Sequence, residues 1–351
     1  MNTSSLSQLV GSSHHLAIAD DALKDEDNAA WVMELESDVQ QEWIERIGWI
    51  RLADRLAESE FLDASASEFR GLQDSWKWLM ATGQVQPVGG HRKTFESIRD
   101  RWFCNGSDPV NQLSIDSWNR YLSALERYHK NHNLVFQTIA EFETMLEDLA
   151  ASFFRILPFL STHDWRIVGA FGVVDQFYNI LRDLREDAEQ GICYLPTELL
   201  DRFGVSRQEI LELQAYRNPG YRSMMQFWIY DYLPQLYRKA YPFILSPDLH
   251  PSWQMLRDWS LNRYKRIERM LRRCDYDYER FPQIYWREVR RDLVLILPAR
   301  FGNPSYCHLS EVGEIERGTK LTSISYRSRK CKLFQLANSV EPNTFMEFDC
   351  G

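Results

Sequence analysis

The chain has 351 residues, 44% of them hydrophobic and 26% charged, a balance that supports a sizeable core in one large domain or two and rules out a disordered or fibrous chain. Its net charge of -9 excludes a general nucleic-acid binder, which needs a basic footprint to neutralise phosphates. No stretch approaches the about 18 consecutive apolar residues of a membrane span. The six cysteines form no C-x-x-C pair, which suggests neither a zinc site nor a disulfide framework and fits a reducing, cytoplasmic setting.

In chain order, residues 1–30 lack the basic start of a signal peptide and turn acidic, so they read as a disordered tail. From Trp31 to about Arg300 apolar residues recur at spacings of three and four, the period of amphipathic helices. Breaks are expected at 85–90 (QVQPVGG from 84), 105–109 (NGSDP), 157–164, 194–204, 218–220 (NPG) and 245–252, where Pro and Gly punctuate. Alternating strand patterns are absent, and the reading is an all-α chain. His129 and His132 in "HKNH" have no acidic or cysteine partner at a metal-binding spacing. After Phe301 the helical period vanishes, so 302–351 reads as an irregular extension whose basic run at 326–332 is a solvated surface.

Two segments place acids where a bundle helix should bury itself. Projected on a helix, Gly169, Gly172, Gln176, Asn179, Asp183 and Asp187 share one narrow face, while Ala170, Val174, Phe177 and Leu181 form the packing side. Glycines on that face permit close approach to the backbone. In "WIERIGWIRLADRLAESEF", Asp54 and Glu58 continue the apolar stripe of Trp43, Ile47 and Ile50, and so point inward. Inward carboxylates must be paired or protonated, because an uncompensated buried charge is costly. Arginines such as Arg51 or Arg182 are one solution. Mg²⁺ is the other, since it takes oxygen ligands from one or two carboxylates, water and a phosphorylated substrate.

The stretch "GVVDQFYNILRDLREDAEQGICYLPTELLDRFGVS" resembles the second aspartate-rich motif of the squalene/phytoene synthase family, and "WIRLADRLAE" is similar to the first. The likeness runs from about residue 40 to 301. It implies an isoprenoid-synthase-type helical bundle around a central cavity, the domain itself spanning 31–301. By that resemblance Asp54, Glu58, Asp183 and Asp187 are the catalytic metal ligands for Mg²⁺, and Arg51, Gln176 and Asn179 bind substrate. Departures from the pattern include Glu58 for the last Asp of the first motif, Arg55 for an acid, and Asp175 for an apolar residue.

The resemblance further implies a Mg²⁺-dependent prenyl diphosphate transferase that condenses two farnesyl or geranylgeranyl diphosphates head to head, with NADPH needed only for a squalene-type product. Peripheral membrane association is compatible with it. The alternatives are a single-substrate cyclase or a prenyltransferase to a non-terpene acceptor, and a non-catalytic assembly factor.

Overall fold

The computed structural model describes Lys24 and residues 27–62, 67–87, 91–104, 108–129 and 134–296. The rest of the expected tail, the His132 position and the extension after residue 301 lie outside the described residues. Among the described residues every regular element is helical, and no strand occurs.

A 3-10 turn, Ala30–Glu34, leads into α1 (Ser37–Leu62), α2 (Glu68–Thr82), α3 (Arg92–Trp102) and α4 (Pro109–His129). Next, α5 (Ile139–Leu146) runs through a π turn, Glu147–Ala151, into α6 (Ser152–Ile156), and α7 (Thr162–Glu189) follows. Short helices α8 (Thr197–Phe203) and α9 (Arg207–Leu211) precede α10 (Pro219–Phe227). A second π turn, Trp228–Tyr232, joins α10 to α11 (Leu233–Ile244), and α12 (Pro251–Arg273) and α13 (Phe281–Ile296) close the bundle.

The helix boundaries follow the local chemistry. Ser161 and Asp164 form a reciprocal capping box at the start of α7, satisfying backbone donors that a helix leaves unpaired. Pro219 and Pro251 sit in the first turns of α10 and α12, where a missing N–H costs nothing. The stretch 194–204, expected as a break, instead contains α8, framed by Pro196 at its N-cap and the left-handed Gly204 at its C-cap. The Pro and Gly there punctuate a short helix instead of preventing one.

α7 is the central element, packed most extensively on α11 and on the first π turn. Val174, Phe177 and Leu181 are buried as the helical projection requires. Phe177 meets Trp228 at a ring-centroid distance of 5.2 Å, and Trp228 stacks on Tyr232 at 4.2 Å. A second aromatic cluster joins Trp31, Trp43 and Trp253, with centroid separations of 4.8 and 5.0 Å. The aromatic wealth of the chain is thus spent largely on its core, where rings bury the most apolar area per residue.

The glycines of the α7 stripe serve this packing as well. A Cβ on Gly172 would lie 2.7 Å from the Ala150 carbonyl oxygen and 2.8 Å from the Phe154 ring, and one on Gly169 would lie 2.7 Å from the Arg155 guanidinium. The close approach expected of these glycines is therefore made by the neighbouring π turn and α6.

The domain also begins earlier than residue 31. Asp27 is fully buried, accepting from Arg266 on α12 and, at 2.6 Å, from the Tyr285 hydroxyl on α13. An acid-rich segment reads as solvated only while its cationic partners are unseen, and here they come from the far end of the chain.

Candidate functional site

α1 carries Arg51, Asp54 and Glu58 one turn apart, and α7 carries Gln176, Asn179, Asp183 and Asp187 at the same spacing. The loop after α7 brings the two sets to a common point. Gly191 takes the left-handed conformation (φ 77°). It donates to the Ala188 carbonyl at 2.9 Å while Ile192 donates to that of Asp187 at 2.8 Å. This paired closure ends a helix and reverses the chain. Arg207 clamps the returning strand through the carbonyls of Cys193 and Leu134, at 2.8 and 3.1 Å.

The residue delivered is Tyr194. Burial pushes its hydroxyl pKa upward, and Asp187, Asp54, Glu58 and Asp183 all push it the same way. One hydroxyl thus lies in the field of all four predicted acids, although no three of them come close enough together to share a metal ion. Tyr121, on α4, is the second tyrosine of the site. It is raised by burial and then by Asp54, with which it hydrogen bonds, and by Glu58.

The acids differ in how well they are compensated. Burial opposes ionisation of Asp183, but Arg182 and then Lys24 outweigh it and hold the carboxyl down at about 2. Arg182 is almost fully buried and grips both carboxylate oxygens of Asp183, at 2.7 and 2.8 Å. Lys24 adds its ammonium at 2.9 Å and bridges to Glu186 at 3.0 Å. Among the described residues Asp187 has no such partner: burial and its neighbour Asp183 push it well up.

Glu58 is pushed up to about 7 by burial and by Asp54. Glu58 is nonetheless exposed to solvent where Asp54 is half-buried, so the inward orientation expected of both acids is not met at Glu58, and its carboxyl is raised by protein packed around it without enclosure. The arginine pairing weighed for these acids therefore operates at Asp183, whereas the upward shifts of Glu58 and Asp187 favour their protonated forms until a further cation is brought to them.

Asn179 donates to Asp175 at 3.1 Å, and its buried amide oxygen finds no hydrogen-bond partner among the described residues. Asp175 also accepts from Arg263 and, at 2.5 Å, from Tyr264, so the acid at this unusual position is a structural partner of α12. Gln176 and Arg51 are half-buried, and Arg51 draws the Glu58 carboxyl down.

Among the described residues no group of three or more His, Cys, Asp or Glu side chains converges closely enough to hold a metal ion. The donor set nonetheless suits Mg²⁺, which binds through one or two carboxylates and completes its shell with water and phosphate oxygens. Two undercompensated carboxylates and an unpartnered amide oxygen offer the hard oxygen donors it takes. A surface groove of about 740 Å³, lined in part by His163, Arg238, Tyr241 and Leu245, shares none of these residues, so the acids and not the groove define the site.

Sequence reasoning missed Lys24, Tyr121 and Tyr194 as site residues. Tyr194 had a signal, the Tyr-Leu-Pro exit of the motif. Lys24, within the expected tail, had none.

An all-α bundle of isoprenoid-synthase type, with acid pairs from two helices facing one tyrosine, is the class of protein this arrangement defines. The squalene/phytoene synthase family model matches residues 24–290, and the chain belongs to that family. Its relatives include the 15-cis-phytoene synthase of Synechocystis sp., 47% identical over 60 residues that make up 17% of each chain. The 15-cis-phytoene synthase of Synechococcus elongatus is 35% identical over 112 residues, 31% of this chain and 33% of that one. The phytoene synthase of Arthrospira platensis is 32% identical over 115 residues, with the same coverage. The matched regions thus span at most about a third of the relatives' length. The fold is similar to a crystal structure of a dehydrosqualene synthase in complex with ligand, with a TM-score of 0.55 and 18% identity over 78% of this chain and 94% of that one.

Proposed function

We propose that the chain is a Mg²⁺-dependent prenyl diphosphate transferase that joins two farnesyl or geranylgeranyl diphosphates head to head. The observation that supports this reading is that acids of both helices, Asp54 and Glu58 on α1 and Asp183 and Asp187 on α7, act electrostatically on the one Tyr194 hydroxyl. Asp187 and Glu58 would hold the metal from opposite walls, with Asp54 and Asp183 completing the acid frame. Bound Mg²⁺ supplies electrostatic stabilisation of the departing diphosphate.

The chain's own groups do the remainder. Arg51 beside the first acid pair offers a fixed positive charge for the diphosphate, where a preorganised charge is most effective. Gln176 and Asn179 orient the substrate from α7. Tyr194 and Tyr121 bring their hydroxyls to the acids, their rings being packed on Phe136 and on Trp118 and Phe153. A phytoene-type product needs no reductant; a squalene-type product takes up hydride, and NADPH would then be required. No described helix is long and apolar enough to cross a membrane.

The test is incubation of the protein with farnesyl and geranylgeranyl diphosphate, with and without Mg²⁺, measuring diphosphate release and hydrocarbon products. The expected outcome is metal-dependent release with a product of twice the substrate carbon number, abolished by Asp183→Ala and by Asp187→Ala. Release with a product of single carbon number would instead identify a cyclase, and transfer to an added aromatic a different acceptor. A non-catalytic role as an assembly factor has one observation behind it, the double cationic pairing of Asp183. Absence of turnover under every condition would favour that role over catalysis.

A further inference from the structure

We propose that Lys24 is a resident counter-ion of the second acid pair which a divalent cation displaces on binding Asp183 Oδ2, so that metal entry there is coupled to release of this lysine. The inference rests on the metal-binding reading above.

Each carboxylate oxygen has about two lone-pair sites. Asp183 Oδ1 accepts from Arg182 Nε at 2.7 Å. Oδ2 accepts from Arg182 Nη2 at 2.8 Å and contacts Lys24 Nζ at 2.9 Å, so both of its sites are filled. A metal ion binding Oδ2 must evict one of the two cations. Arg182 cannot readily leave, because its side chain is 2% exposed and it also donates to Asn28 Oδ1 at 3.0 Å. Lys24 can: its side chain is 23% exposed and its other partner, Glu186, is 46% exposed.

The anchorage of the segment makes the exchange local. Asn28 accepts from both Arg182 and Arg263, and Asp27 is held by Arg266, Tyr285 and, through its carbonyl, Trp259. Release of the ammonium therefore leaves the rest of the strap in place, ready to return. The lysine charge also reaches the other acids, pulling down the carboxyls of both Asp187 and Glu58. The ammonium thus contacts Asp183 and Glu186 while its charge acts on acids of both helices.

The experiment uses the full chain and Mn²⁺ as an electron-paramagnetic-resonance probe of binding, comparing wild type with Lys24→Met, Lys24→Arg and Asp183→Asn. Lys24→Met is expected to bind Mn²⁺ on the order of tenfold more tightly, because a like charge within a few ångströms of the ion has been removed. Lys24→Arg, which keeps the charge, should bind like wild type, and without metal Lys24→Met should melt at a lower temperature than wild type. Should Lys24→Met fail to fold, Lys24→Gln takes its place. Equal or weaker Mn²⁺ binding by the neutral variant, alongside binding that Asp183→Asn still impairs, overturns the counter-ion role and leaves the metal site standing. If no protein binds Mn²⁺, the metal-binding reading itself fails and takes the proposal with it.

Discussion

The two ends of the acid frame titrate in opposite directions, and the sign of each has a consequence. Glu58 holds its proton up to about 7, above an unfolded value near 4.5, so the folded state binds a proton that the unfolded chain has released. Its stabilising effect is complete below the unfolded value and is lost as pH rises through about 7. Asp183, held down at about 2, contributes stability above its unfolded value that disappears only as pH falls through about 2. Thermal melts of the metal-free protein should therefore decline between about pH 5 and about pH 8. Glu58→Gln, which cannot ionise, should flatten that decline and melt above wild type at the alkaline end; an unchanged slope would remove Glu58 as its source. The four acids were candidates in the sequence because Asp54 and Glu58 continue an apolar stripe and Asp183 and Asp187 extend the polar face of α7. How they divide the available cations was not legible, because Arg182 and Lys24 take sides only once the chain is folded.

At the scale of the helix, α7 is built to be approached from two directions. Its acid face meets the loop bearing Tyr194, while Gly169 and Gly172 form a notch filled by the first π turn and α6. Gly172→Ala forces its methyl against a backbone carbonyl at 2.7 Å and a buried ring at 2.8 Å, neither of which can swing away. Overpacking of this kind costs about 1–3 kcal/mol, and urea denaturation should show that loss; a neutral result would mean that the π turn yields. Helix boundaries near 85–90, 105–109, 157–164, 218–220 and 245–252 were legible from Pro and Gly. The π turns at Glu147–Ala151 and Trp228–Tyr232 were not, since one extra residue in a turn leaves the apolar period nearly intact. The glycine notch was read correctly as a place of close approach, but spacing alone does not say whether a ligand or a neighbouring helix will fill it.

Across the whole molecule, the segment around Asp27 ties the start of the bundle to its last two helices. Arg182, Arg263 and Arg266 are all buried, and their partners include Asn28 and Asp27. Asp27→Ala leaves Arg266 with Asp292, at 2.9 Å, as its remaining carboxylate partner and removes the acceptor of the Tyr285 hydroxyl. Breaking a buried pair from one side costs about 3–5 kcal/mol, a loss that equilibrium denaturation should resolve. A change within error would show that Asp292 alone suffices. Fold class was legible throughout, because helical periodicity is a local property. The early start of the domain was not, because the partners that make an acidic stretch burial-competent lie 239 residues away for Arg266 and 258 for Tyr285.

That separation also sets an order of events during synthesis. A nascent chain emerging from the ribosome exposes Asp27 long before Arg266 and Tyr285 have been translated, and domains fold as their parts become available. The strap can lock only after nearly all of the bundle has been made. The contacts of Asp27 with Arg266 and Tyr285 therefore form after those of Lys24 and Asn28 with α7 become available.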